Sequence, residues 1–223
     1  MIAKYYDHLM YILPFEGKYF KKYPMLKKTF IGNPAVMYTK GVTTYQHAAK
    51  ENIVGITLGS RKAEIDSHLK IITEVMRIVK NEIHDTKFYI FCTDQYCAEI
   101  SRKISEDFAP QNEESNILED IKIIDERESK YEMISECRVG ILKSGTNTIE
   151  FGTLKVPIVV YYKTSKLNEM IFRIFSKLKT FTLFNIVMNK SIVKEFIQSN
   201  ARPMVIAREV LEIMKNDARA LRI

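Results

Sequence analysis

From residue 53 onward, short runs that are apolar on both faces alternate with longer stretches that are apolar along one side only. Ile53, Val54, Ile56 and Leu58 belong to the first short run. The stretch after it carries Ile65, Leu69, Ile72, Met76 and Val79, in alternating steps of four and three, which draws one stripe along a helix. The pattern then repeats. Residues 88–92, 121–124, 139–142 and 156–160 read as strands. Residues 95–107 and 146–154 read as helices, and 109–116 as a polar loop containing Pro110. Ser129 with Glu132 fits a capping box that opens a short helix ending at Cys137. A strand apolar on both faces must be covered on both. Alternation with helices therefore predicts an α/β fold, a Rossmann-like parallel sheet with helices on both faces, over residues 53–162.

The flanks are less regular. Residues 8–13 read as a short strand and 15–23 as a basic, aromatic helix. Gly32-Asn33-Pro34 reads as a turn in which Pro34 keeps Asn33 extended. Residues 1–37 begin as though in the middle of a domain, and 38–52 are polar and mixed, as in a linker. Residues 163–223 are expected to be C-terminal helices, packing back on the first domain or on a partner, with 191–198 and 203–216 as two of them. Between residues 163 and 180, Lys163, Lys166, Arg173, Lys177 and Lys179 interleave with Leu167, Met170, Ile171, Phe172, Ile174, Phe175 and Leu178. That mixture suits a helix lying on an anionic membrane surface, and equally a helix packed between domains with a basic outer edge.

Two strand-to-helix corners carry the chemistry. One runs Leu58-Gly59-Ser60-Arg61-Lys62-Ala63-Glu64 and the other Ser144-Gly145-Thr146-Asn147-Thr148-Ile149-Glu150. In an open parallel sheet, ligands sit at the carboxyl ends of the strands, and both corners lie there. A helix N-terminus presents unpaired N–H groups and a partial positive charge. Glycine lets the backbone approach an anion, Ser and Thr add hydroxyls, and Arg61 adds a fixed planar cation. Two such corners predict a nucleotide-diphosphate site. Glu64 reads as a residue that caps or solvates its helix start.

The 223 residues carry a net charge of +7, which favours an anionic partner: a phosphorylated ligand, an anionic membrane surface or nucleic acid. Aromatic–basic RNA motifs are missing, so nucleic acid is not expected. His8, His47, His68 and His84 show no zinc spacing, and no metal site is expected. Cys92, Cys97 and Cys137 form no CxxC pair and are expected to be reduced and mostly buried. No run of about 18 apolar residues predicts a membrane-spanning helix.

The segments Leu13-Pro14-Phe15-Glu16 with Phe30-Ile31-Gly32-Asn33-Pro34, Leu58 to Glu64, and Ser144 to Glu150 with Val156-Pro157-Ile158-Val159-Val160-Tyr161 resemble, in order, motifs of the lipid-A-disaccharide synthases. Thr182-Leu183-Phe184-Asn185-Ile186 and Ile192-Val193-Lys194-Glu195-Phe196-Ile197-Gln198 resemble a fourth stretch. These are nucleotide-sugar glycosyltransferases of the GT-B class. The resemblance implies the donor-binding half of a GT-B fold, with most of the N-terminal acceptor domain lacking. It implies transfer of 2,3-diacylglucosamine from its UDP donor to 2,3-diacylglucosamine 1-phosphate, the lipid X-type acceptor, in lipid A biosynthesis. It also implies a cytoplasmic, peripheral location at the inner face of the inner membrane, with no cofactor.

By the same resemblance, Gly59, Ser60 and Arg61 hold the donor's pyrophosphate, with Arg61 as the catalytic residue that stabilises the leaving UDP. Ser144, Gly145 and Thr146 close on the same phosphates, Glu150 accepts from the ribose hydroxyls, and Asn185 approaches the donor from the C-terminal region. The family's essential acidic residue matches no position here. Leu58, Asn33, Phe184 and the pair Asn189-Lys190 depart from the family pattern, Lys190 replacing an Arg whose bidentate grip it cannot reproduce. A partner chain supplying the N-terminal half, or a homodimer that swaps the 190–223 segment, is compatible with this pattern. So is a different class of protein: a truncated, non-catalytic remnant that binds UDP or a membrane.

Overall fold

The computed structural model describes residues 5–109, 117–125, 129–163 and 180–223. Its centre is a six-stranded sheet in which all pairs are parallel. The strands are β3 (Ile53–Thr57), β4 (Lys87–Cys92), β5 (Ile121–Asp125), β6 (Val139–Lys143), β7 (Ile158–Tyr162) and β8 (Glu195–Ile197), in the order β5-β4-β3-β6-β7-β8. The chain winds one way from β3 to β5 and the other way from β6 to β8. The direction reverses between β3 and β6, the point at whose carboxyl ends open parallel sheets carry their ligand crevice. The expected parallel α/β sheet is what forms.

Alternation along β3 sends Val54 and Ile56 to one face and Ile53 to the other. The first face is covered by the helices α3 (Lys62–Glu82), α4 (Asp94–Phe108) and α8 (Pro203–Lys215), through Ile65, Leu69, Ile72, Met76, Val79, Ile100, Ile104, Ile206, Val210 and Ile213. The stripe read on α3 is thus its buried side. The second face is covered by α5 (Lys130–Glu136) and α6 (Asn147–Thr153), through Ile134, Phe151 and Leu154. Gly55 and Gly140 pair across the two central strands. A Cβ on either would lie 2.9 Å or 2.7 Å from the Phe151 ring. Their bare backbone is the floor on which Phe151 rests, and this sets how closely α6 approaches the sheet.

The N-terminal part forms a separate two-stranded parallel sheet, β1 (His8–Tyr11) with β2 (Lys27–Phe30), joined through the short helix α1 (Glu16–Tyr19). The Glu16 carboxylate closes this turn, accepting from the N–H groups of Ile12 and Leu13 at 3.1 Å and 2.8 Å. Helix α2 (Pro34–Tyr38) follows. Asn33 is extended, as expected, and caps it by accepting from the Ala35 N–H at 2.9 Å. Residues 38–52, read as a linker, are pinned. Buried Lys50 donates to the Cys137 carbonyl at 2.8 Å, and His47 pairs with Asp217 at 2.6 Å.

Three expectations change. Residues 191–198 are not a helix: β8 lies there, followed by a turn of 3-10 helix at Gln198–Asn200, because β7 and the Asn185 side chain capture the backbone. Ser129 makes no capping hydrogen bond at the start of α5. Cys92 and Cys97 are joined as a disulfide between the end of β4 and the first turn of α4, where their Cα atoms are 5.7 Å apart, so only Cys137 remains a buried thiol. Residues 164–179 of the basic, apolar segment and residues 110–116 of the polar loop lie outside the described residues.

Candidate functional site

The first corner leaves β3 through buried Leu58. Gly59 then takes φ +114, a conformation that costs other residues heavily. A Cβ there would also fall 2.6 Å from Glu64 Oε2, so the glycine makes room for the Glu64 carboxylate. Ser60 is exposed. Arg61 occupies the N-cap of α3 in extended conformation, without a side-chain capping bond, and its side chain is 77% exposed. The helix start is therefore open towards the crevice.

The second corner leaves β6 through Lys143 and is tied more firmly. The Lys143 N–H donates to Thr57 Oγ1 at 3.1 Å, which locks the two corners' strands together. Ser144 donates its N–H to the Tyr161 carbonyl at 3.1 Å and its hydroxyl to the Phe181 carbonyl at 3.2 Å. Gly145 accepts from the Thr148 hydroxyl at 2.8 Å, and Thr146 is the exposed N-cap of α6. Buried Tyr161 donates to the Thr57 carbonyl at 3.0 Å, and burial, followed by the Glu64 charge, pushes its hydroxyl's pKa well up, so it stays protonated.

One carboxylate joins the corners. Glu64 Oε1 lies 3.2 Å from Arg61 Nη1 and 3.2 Å from Lys143 Nζ, and the Glu64 side chain is 13% exposed. Burial pushes the carboxyl up, but the Lys143 charge and hydrogen bond, followed by those of Arg61, outweigh it and leave the pKa below its ordinary value. Glu64 is thus more than a helix-start residue: it is an anion seated between the two cations of the crevice.

His68 fastens the same corner to the end of β7. Its Nδ1 lies 2.7 Å from the Leu58 carbonyl, and its Nε2 is 3.2 Å from the Lys163 N–H. Nε2 also lies 3.0 Å from the Lys163 carbonyl, so either ring nitrogen has an acceptor for its proton. Burial, the largest influence, lowers its pKa against the two carbonyl hydrogen bonds, which favours the neutral ring.

The remaining expected residues sit differently. Glu150 lies on α6 with its carboxylate 2.8 Å from Lys130 Nζ and 3.4 Å from the Tyr131 hydroxyl, so α5 holds it in place. Asn185, on α7 (Leu183–Met188), is 1% exposed. Its oxygen accepts from the Ile192 and Val193 N–H groups at 3.0 Å each. Its amide donates to the Val193 carbonyl and to Glu195 Oε1 at 2.9 Å each. That fills the capacity of an asparagine amide. Its amide thus shapes the loop before β8 and orients Glu195. Glu195 in turn accepts from the Phe181 and Thr182 N–H groups at 3.0 Å and 2.9 Å, which presents the Phe181 carbonyl to Ser144.

Sequence reading missed Lys143, His68 and Glu195. Lys143 was legible as a cation immediately before a Ser-Gly-Thr corner. The other two depend on partners distant in sequence. Among the described residues, no group of three or more His, Cys, Asp or Glu is placed to hold a metal ion.

A family model described as Lipid-A-disaccharide synthetase matches residues 1–222. The lipid-A-disaccharide synthase of Rickettsia conorii is 30% identical over 227 residues, covering 98% of this chain and 47% of that protein. That of Aquifex aeolicus is 28% identical, covering 90% and 52%. The chain thus spans about half the length of these relatives. Among solved structures, TarM superposes with a TM-score of 0.57 at 14% identity, over 99% of this chain and 39% of that one. The ADP-heptose heptosyltransferase II of Escherichia coli does so with a TM-score of 0.52 at 10% identity, over 86% and 55%. These likenesses are of fold: a parallel sheet with helices on both faces. With the four motifs in register and the matching fold, the chain belongs to the lipid-A-disaccharide synthetase family.

Proposed function

We propose that this chain carries the donor-binding half of a lipid-A-disaccharide synthase-like hexosyltransferase. The donor is UDP-2,3-diacylglucosamine and the acceptor 2,3-diacylglucosamine 1-phosphate. An acceptor hydroxyl oxygen attacks the donor's anomeric carbon. The bond from that carbon to the diphosphate oxygen breaks, and UDP leaves with the electron pair. Arg61 neutralises the charge growing on UDP. Gly59, Ser60, Gly145 and Thr146 offer N–H and hydroxyl donors around the diphosphate, Ser144 reaches it only by exchanging its hydroxyl's bond to the Phe181 carbonyl, and Glu150 offers an acceptor for ribose hydroxyls. The proton released by the acceptor goes to a group outside the two corners. The observation that carries this reading is the meeting of both corners in one crevice at the sheet's switch point, with Arg61 at its edge. A +7 charge, and no helix among the described residues long and apolar enough to cross a membrane, suit a peripheral enzyme at the cytoplasmic, anionic face of the inner membrane, where the lipid substrates lie.

Calorimetric titration with UDP tests the donor site. Saturable binding is expected, weakened about tenfold by Arg61→Ala, the size of one charge-assisted hydrogen bond, and weaker for UMP. A folded chain that binds no UDP overturns the reading.

A second reading concerns partners. Met10 is 64% exposed, Phe30 50% and Ile31 56%, all on or next to the β1 and β2 strands. A two-stranded parallel sheet with such faces is incomplete by itself. It supports completion by an α/β polypeptide equivalent to the half of the relatives that this chain does not span. Disaccharide formation that appears only when such a polypeptide is added is the expected result. Activity of the chain alone would remove the need for it. A mixture that binds UDP but makes no disaccharide would favour the non-catalytic UDP-binding alternative.

A further inference from the structure

Arg61 and Lys143 come from opposite halves of the sheet, yet both converge on a single oxygen, Glu64 Oε1, at 3.2 Å each. The two differ in freedom. The Arg61 side chain is largely exposed, whereas the Lys143 side chain is 18% exposed. The Lys143 backbone is fixed to Thr57, and its ammonium lies 5.4 Å from the Tyr162 ring centroid, a stabilising cation–π distance. Lys143 is therefore held with its charge at the switch-point crevice.

Glu64 is held less completely. Its second oxygen, Oε2, is buried without a hydrogen-bond partner, against the bare backbone of Gly59. A carboxylate with one satisfied oxygen and one buried, unsatisfied oxygen has something to gain by moving. What it would leave behind is a spot within reach of a guanidinium and an ammonium, at the open start of the 21-residue helix α3. That is a seat for one oxygen of a phosphate group.

We infer that Lys143 is a second cationic contact to the ligand's diphosphate, and that Glu64 occupies the phosphate position until the ligand displaces it. Glu64 acts as a tethered substitute anion. It keeps two facing cations from repelling each other, and it lowers ligand affinity by the work of its removal. This rests on the nucleotide-diphosphate reading of the crevice and adds to it a cation and a competitor.

The test is calorimetry with UDP, UMP and inorganic pyrophosphate on the wild-type chain and on Lys143→Met, Lys143→Arg and Glu64→Gln. Thermal melts accompany each variant to establish that it folds. Lys143→Met is expected to weaken UDP and pyrophosphate about tenfold, as for loss of one charge-assisted hydrogen bond, and UMP less. Lys143→Arg restores most of the loss. Glu64→Gln, which keeps the shape and removes the charge, is expected to strengthen UDP and pyrophosphate binding several-fold. A structural ion pair would instead give a lower melting temperature with no gain in affinity.

Wild-type UDP binding that Lys143→Met leaves unchanged, or that Glu64→Gln weakens, overturns the inference and spares the nucleotide reading. Pyrophosphate binding that responds to both substitutions, with UDP no better than pyrophosphate, spares the anion seat and overturns the nucleotide reading. A folded wild-type chain that binds none of the three overturns both.

Discussion

The molecule contains two parallel sheets that differ in how they are covered. In the six-stranded sheet, β3 is buried along its whole length between helices on both faces, and Phe151 lies on a glycine floor. In the two-stranded sheet, pairing is just as regular, but Met10 and Phe30 remain half-exposed or more. Hydrogen-bonded pairing alone thus does not define a finished parallel sheet. The larger sheet gains its stability from apolar surface withdrawn from water, which the smaller one withdraws only in part.

The strongest way to break this comparison is to remove side chains from each sheet. Phe151→Ala is expected to cost about 3–5 kcal/mol in a denaturant melt, as for a fully buried aromatic. Met10→Ala should stay within about 0.5 kcal/mol. Comparable losses would show that the small sheet is as well supported as the large one.

A smaller effect is expected where a polar side chain substitutes for apolar cover. Asn185→Ala strips partners from the Ile192 and Val193 N–H groups and should cost about 1–3 kcal/mol. Hydrogen exchange at β8 should accelerate with it, while exchange at β3 holds.

The smallest effect lies in the segment joining the sheets. Burial lowers the pKa of Lys50 from 10.5 to about 8. The folded chain therefore gives up this proton near pH 8, whereas the unfolded chain keeps it to near 10.5. In that window the unfolded state binds more protons, so stability rises with pH, by at most about 1.4 kcal/mol per pH unit. Lys50→Met should flatten that slope. An unchanged slope would place Lys50 in contact with water.

The sequence showed β3, β4, β6 and both corners because each signal is local: an apolar run, then Gly with a hydroxyl residue, then helical periodicity. β8 was misread because its backbone is captured by Asn185 and β7, and neither contact leaves a periodic trace in residues 191–198. The site divides the same way. Gly59, Ser60, Arg61 and the Ser144-Gly145-Thr146 corner were legible as turn chemistry. Glu64 as a bridging anion, and Asn185 as a filled amide, depend on which side chains the fold brings opposite them.

The Lys143–Thr57 hydrogen bond joins residues 86 apart in sequence. Every feature of the crevice that needs both corners therefore waits for a long chain closure, which comes late in folding because its entropy must be lost before the contacts form. A nascent chain that has assembled β3, β4 and β5 has helices and a core but no place for a diphosphate. Nucleotide capture during refolding should accordingly lag behind the recovery of secondary structure, so that the ligand reports completion of the sheet rather than its onset.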